Sequence, residues 1–228
     1  MARGRADHRA PPLRLLLGEG LIVASRLYRA FGRLAERGPL DGEKLLVIPG
    51  FCATDRTTLG LQRALAEAGY RVTGWGLGFN RGARADTLDR IIERVERFGD
   101  GQKVILVGWS LGGIFAREVA KMRPDLVEKV VTLGSPFSGD PRANNAWRLY
   151  ELISGHPVDR PPVEIEAHRK PPVPTLALWS RRDGMVAPAC ARGSDGERDE
   201  AREIDCRHMG FAVAKSAFPQ IVAAIRSF

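Results

Sequence analysis

Cysteine is scarce in this sequence: 228 residues contain only Cys52, Cys190 and Cys206. Three scattered cysteines cannot make a disulfide framework, and one bridge between Cys190 and Cys206 is the only pairing left open. A reducing cytoplasm is the simplest setting for such usage. No pair has the spacing of a zinc knuckle and no HExxH occurs, so the common metal motifs are excluded. Long apolar runs are missing too. No uncharged stretch reaches the roughly 18 residues that a membrane-spanning helix needs. The best candidate, residues 13–27, is interrupted by Arg14, Glu19 and Arg26. The same charges count against a secretory signal, although Arg3, Arg5 and Arg9 imitate its basic start. There is no groove-reading module and no interleaving of aromatic with basic residues, which excludes the usual nucleic-acid binders.

What is present suits one folded domain. Hydrophobic residues make up 44% and charged residues 27%, enough apolar material for a real core. The net charge is +8, and +5 of it lies within residues 1–40, where eight arginines (3, 5, 9, 14, 26, 29, 33 and 37) face only Asp7, Glu19 and Glu36. The basic excess therefore belongs to an N-terminal arm. Charge of this kind is most often a solvated face; its sharper reading is contact with anionic headgroups or an acidic partner.

Residues 1–40 read as this arm plus an amphipathic helix that opens after Pro11-Pro12 and ends at Gly38-Pro39. Its apolar side carries Leu13, Leu16, Leu17, Leu21, Ala24, Tyr28, Phe31 and Ala35, and its arginines prefer the other side. From residue 41 onward, short apolar runs alternate with helical stretches. Strands are expected at 44–48, 70–75, 103–107, 129–133, 174–179 and 201–205. Helices are expected at 57–68, 85–98, 111–122 and 212–226. Strands that are apolar nearly throughout and separated by helices imply an α/β fold with about six mostly parallel strands, covered on both faces. Right-handed crossovers would set all the strands' C-terminal ends on one edge, where ligands bind. Residues 137–173 break the rhythm with a helical piece at 144–153 and a run of prolines, which reads as a short cap insertion over that edge.

Gly108-Trp109-Ser110-Leu111-Gly112 matches G-x-S-x-G, and it lies between an expected strand and an expected helix, the context this motif requires. A serine on so tight a turn presents its hydroxyl outward, and bulky neighbours two residues away would collide, hence Gly108 and Gly112. A hydroxyl needs a base. Of four histidines, His8 is terminal, and His156 and His168 lie in the proline-rich insertion. His208, after the last strand, is the choice. A carboxylate must orient that base. Asp183 follows the fifth strand in a turn with Gly184, whereas Asp195 and Asp199 belong to a hydrophilic loop and Asp205 is too close in sequence to His208. The developing oxyanion needs two backbone N–H groups. One is Leu111; the other comes from the loop after the first strand, where Gly50 permits close approach, with Phe51 first choice and Cys52 second.

These residues resemble the α/β-hydrolase superfamily, and within it the small bacterial lipase- and esterase-like serine hydrolases. The similar pieces are IPGF at 48–51, GWSLGG at 108–113, VVTLGSP at 130–136, SRRDGMV at 180–186 and the histidine of CRHMGF at 206–211. The resemblance implies a minimal α/β-hydrolase fold over residues 41–228 with Ser110 as nucleophile, Asp183 as acid and His208 as base. It further implies oxyanion donors at Phe51 and Leu111, and ester hydrolysis through an acyl-enzyme without a cofactor or metal. Two features depart from the family pattern: Pro49 stands where many relatives have histidine, and the early antiparallel strands are replaced by the N-terminal helix. Thioester hydrolysis or acyl transfer would use the same three side chains, and a binding module without catalysis is a third reading. Haloalkane dehalogenation is disfavoured because it needs an aspartate at position 110. Localisation is expected to be cytoplasmic, with the arm peripheral to membrane. Deleting residues 1–37 should then weaken binding to anionic vesicles in a sedimentation assay, and unchanged binding would remove the membrane role.

Overall fold

The protein is described by a computed structural model that covers residues 10–12, 15, 36–140, 142, 144, 145 and 147–228. Strand periodicity explains its layers. In β1 (Lys44–Ile48), Leu45 and Val47 enter one apolar cluster while Leu46 and Ile48 enter another on the opposite face. A strand buried on both faces needs helices on both, and the chain supplies them. The other strands are β2 (Arg71–Gly74), β3 (Val104–Trp109), β4 (Val127–Leu133), β5 (Thr175–Trp179) and β6 (Glu200–Glu203). All pair in parallel, in the order β2-β1-β3-β4-β5-β6.

Helices α1 (Leu59–Glu67), α6 (Gly210–Val213) and α7 (Phe218–Arg226) pack on the Leu45 face. Helices α2 (Thr87–Gly99) and α3 (Leu111–Met122) pack on the Leu46 face. The described residues include two more helices: α4 (Trp147–Ser154), at the helical piece expected at 144–153, and α5 (Pro188–Arg192), which alone has no periodicity to suggest it. The chain leaves β1 toward β2 on one side and returns to place β3 on the other. The crevice beyond the ends of β1 and β3 is therefore the topological switch point, where open α/β sheets bind ligands.

Several expectations need correction. The helix expected at 212–226 is split: Ala214 is extended, and α7 restarts with Pro219 in its first turn, where a missing N–H costs nothing. β3 runs two residues further than expected, so Trp109 is sheet and Ser110 follows it directly. Among the described residues no disulfide forms, and Cys190 and Cys206 are thiols buried in separate apolar clusters. Most of the expected N-terminal helix lies outside the described residues, but its end is not helical. Arg37 forms an antiparallel bridge with Val72 on the open edge of β2, and Glu36 pairs with Arg71 at 2.7 Å. Among the described residues no helix is long and apolar enough to cross a membrane.

One buried carboxylate ties the loops beyond β1 and β2. Asp55 is 3% exposed; its Oδ1 accepts from the Trp75 N–H and its Oδ2 from the Gly76 N–H, both at 2.9 Å. Gly74 is required beneath it, since a Cβ there would lie 2.3 Å from the Asp55 oxygen. Burial pushes the Asp55 carboxyl up to about 6, against the pull of those two N–H groups and Arg94. A carboxyl raised above its unfolded value of about 4 favours the protonated fold. Its contribution is complete below about pH 4 and lost as pH rises through about 6, a change of up to roughly 3 kcal/mol. Asp55→Asn should lack this step, so the difference in unfolding free energy between parent and variant should shrink from pH 4 to pH 7. A constant difference across that range would contradict it.

Candidate active site

Ser110 sits between the last residue of β3 and the first of α3 with φ 54° and ψ −123°. That is the left-handed half of backbone space, which a serine enters at a cost of about 1–3 kcal/mol unless its surroundings compel it. Here they do. The Ser110 N–H donates to the Leu133 carbonyl at 2.9 Å, and the Gly113 N–H donates to the Ser110 carbonyl at 3.0 Å. Glycines make the turn sterically feasible. A Cβ at Gly108 would meet the Gly112 carbonyl oxygen at 2.3 Å, one at Gly112 the Ile48 oxygen at 2.3 Å, and one at Gly113 the Ser135 hydroxyl at 2.0 Å. Gly50 completes the set, because a Cβ there would come within 3.1 Å of the Ser110 Cβ.

Asp183 and His208 meet at the ends of β5 and β6. The His208 Nδ1–H donates to Asp183 Oδ2 at 2.8 Å, with both residues 3% exposed or less. Asp183 Oδ1 accepts from the Met185 and Val186 N–H groups, each at 2.8 Å. A carboxylate acceptor fixes the imidazole proton on Nδ1, which leaves Nε2 as the lone-pair nitrogen of the neutral ring. Two contacts hold this pair in place. The Trp109 indole N–H donates to the His208 carbonyl at 3.1 Å, so the residue beside Ser110 also anchors the histidine. The Ser180 hydroxyl donates to the Cys206 carbonyl at 2.5 Å and joins the loops beyond β5 and β6. Trp109 and Ser180 stand within the pieces GWSLGG and SRRDGMV, but their anchoring contacts exist only in three dimensions. The carboxylates passed over are engaged elsewhere: Asp195 with Arg198, Asp199 with Lys170, and Asp205 with Arg182.

Ser110 and His208 line one cavity of about 250 Å³, together with Phe51 and Leu111. The Cys52 N–H donates to the Asn80 carbonyl at 2.9 Å, which removes Cys52 as a donor to a ligand. Among the described residues the N–H groups of Phe51 and Leu111 have no hydrogen-bond acceptor. The Phe51 ring packs against Tyr150 of α4, centroids 5.1 Å apart, and the Tyr150 hydroxyl accepts from the Ala83 N–H at 3.2 Å. Residues 144–145 brace the other side. The Asn145 side chain donates to the Gly184 carbonyl at 2.8 Å and its N–H to the Met185 carbonyl at 2.8 Å. His156 turns away from the cavity to Ala83 and Pro157, whereas His168 lines it. No group of three or more His, Cys, Asp or Glu side chains with metal-site geometry occurs among the described residues.

The packing around Gly112 predicts a large effect from one methyl group. Gly112→Ala should destabilise the fold by about 3 kcal/mol or more, because a Cβ there strikes backbone rather than a movable side chain. Denaturant unfolding checks this, and a loss below about 1 kcal/mol would show that the turn can relax.

A family model described as alpha/beta hydrolase fold matches residues 44–154. The pimeloyl-(acyl-carrier protein) methyl ester esterase of Klebsiella pneumoniae is 43% identical over 60 residues, which make up 26% of this chain and 23% of that protein. A biotin biosynthesis bifunctional protein of Teredinibacter turnerae is 32% identical over 60 residues, 26% of this chain and 10% of that protein. The chain thus matches less than a quarter of the length of these curated relatives. Among solved structures, a lipase-esterase related protein from Clostridium acetobutylicum superposes with a TM-score of 0.64 at 16% identity, over 87% of this chain and all of that one. Sheet order, the matched family model and this superposition agree on one architecture, and the chain has the α/β-hydrolase fold.

Proposed function

We propose that this protein is a serine hydrolase that cleaves carboxylic esters through an acyl-enzyme. The observation that carries the reading is the buried Asp183–His208 hydrogen bond on the rim of a cavity that Ser110 also lines. Ser110 Oγ attacks the ester carbonyl while His208 Nε2 takes its proton, forming the serine–carbon bond and an oxyanion. Asp183 keeps the imidazole oriented and stabilises its charged form. The Phe51 and Leu111 N–H groups donate to the oxyanion; one such donor typically contributes about 10²–10³ in rate. The carbon–oxygen bond to the alcohol then breaks and the alcohol leaves with the proton from His208. Water, deprotonated by the same nitrogen, releases the acid and restores Ser110.

The N-terminal end of α3 adds a favourable dipole where that negative charge develops. Residues 137–173 act as the cap of this site: Phe137, Trp147, Tyr150, Ile165 and His168 all contribute to the cavity wall. The esterase named above in Klebsiella pneumoniae acts on a methyl ester, which is consistent with this chemistry class.

Ser110→Ala and His208→Ala should each lower ester turnover by about four orders of magnitude or more, and Asp183→Asn by a comparable factor. Labelling by a fluorophosphonate should vanish in Ser110→Ala alone among surface-serine controls. Labelling that persists in Ser110→Ala, in protein with parental circular dichroism, would end the assignment of the nucleophile.

A further inference from the structure

Cys52 shares with Ser110 a positive φ, here 57°, which a side chain other than glycine rarely adopts. It lies in a tight turn. The Ala53 N–H donates to the Gly50 carbonyl at 3.2 Å, which makes Phe51 and Cys52 the two central residues. Positive φ at the second central residue alone is the type II pattern, and that place normally goes to glycine or asparagine. A cysteine stays there only if something outside the turn holds it. Asn80 does so. It is 1% exposed and meets the loop in three places. Its N–H donates to the Ala53 carbonyl, its carbonyl accepts from the Cys52 N–H, and its Nδ2 donates to the Pro49 carbonyl, all at 2.9 Å. Its Oδ1 accepts from the Gly82 N–H at 3.1 Å. One partner can only accept and the other can only donate, so the amide has a single orientation.

These contacts fall on Pro49, Cys52 and Ala53, on both sides of Phe51. Pro49 is buried and offers neither an N–H nor a polar side chain, so its carbonyl is its one polar handle, and Asn80 takes it. Within the turn, Cys52 and Ala53 give their N–H groups to protein carbonyls, while the Phe51 N–H has no acceptor among the described residues. The turn also stands against the nucleophile: a Cβ at Gly50 would lie 3.1 Å from the Ser110 Cβ, and Phe51 lines the same cavity as Ser110. Asn80 follows β2, and Phe51 follows its neighbour β1. An oxyanion donor is effective when it is already in place before charge develops, so that nothing reorganises during the reaction. A donor on a strained turn keeps its place only while the turn is held.

We propose that Asn80 is the positioning residue of the oxyanion site, and that its side chain holds the 50–53 turn in the conformation that offers the Phe51 N–H to the substrate. The inference rests on the serine-hydrolase reading, and the test separates the two. Two variants of the full chain isolate the side chain. Asn80→Asp keeps its shape but sets an acceptor against the Pro49 carbonyl, and Asn80→Ala removes both side-chain contacts. On a chromogenic ester each should lower kcat by about 10²-fold, the typical worth of one oxyanion donor, with KM within about threefold of the parent. An alkyl trifluoromethyl ketone, whose carbonyl carbon bonds Ser110 Oγ and whose oxygen becomes an oxyanion, should bind about 10²-fold more weakly. The corresponding trifluoromethyl alcohol has the same size and no carbonyl, and its binding should change by less than about threefold. The midpoint of kcat/KM against pH, which reports His208, should stay in place, whereas a loosened triad would move it. If Asn80 served the fold alone, activity would track the folded fraction seen by circular dichroism, and ketone and alcohol would weaken together. That result, or a folded variant with kcat within about threefold of the parent, overturns the positioning role while leaving the nucleophile standing. Should Asn80→Ala fail to fold, the isosteric Asn80→Asp carries the comparison. A parent whose ester turnover is absent, or survives Ser110→Ala, overturns both.

Discussion

The site depends on a single strained residue. Ser110 holds a left-handed backbone conformation between a parallel strand and the helix behind it, and a serine stays there only where the surroundings leave no alternative. Four glycines provide that setting by their missing side chains: Gly108 and Gly112 across the turn, Gly113 against Ser135, and Gly50 against Ser110 itself. The strand order places this turn at the switch point of the sheet. Backbone geometry, more than side-chain contact, sets Ser110 on the cavity wall.

The polar groups around it are buried, so each needs its hydrogen bonds met within the protein. Asp183 accepts two backbone N–H groups and one imidazole N–H, which compensates for burying a carboxylate. The loops that carry these groups are joined pairwise: Trp109 to His208, Ser180 to Cys206, and Asn145 to Gly184 and Met185. Two of these links join segments that follow neighbouring strands, and the Trp109 link reaches from the end of β3 to the loop after β6, so the geometry is shared along the sheet edge. Asp55 does the same work beyond β1 and β2. Arg117, buried behind the cavity-lining residues 167 and 168, belongs to this pattern, because it satisfies carbonyls that a segment without regular structure would leave unpaired.

Much of this was legible in the residues. Apolar runs such as KLLVI mark central strands because both faces are covered, and β1 and α3 begin and end where their periodicity says. Ser110 and its glycines announce themselves by spacing, and His208 and Asp183 could be nominated because few histidines or acids stand after a strand. Boundaries that depend on a single hydrogen bond were harder. The break between α6 and α7 follows from Pro219 and was missed, since the apolar pattern runs on through it. The short helix α5 has too few residues to show a period.

Local pattern, then, settled the class of fold, the strand-turn-helix around Ser110 and the small set of side chains worth considering, because period, glycine placement and motif context are properties of neighbouring residues. Tertiary structure decided what depends on distant chain segments meeting. It gave the Cys52 N–H to the Asn80 carbonyl, kept Cys190 and Cys206 apart in different clusters, and enlisted Trp109, Asp55 and Arg117 through contacts as much as 99 residues apart in sequence. Such contacts leave no local trace, since a buried arginine and an exposed one are written with the same letter.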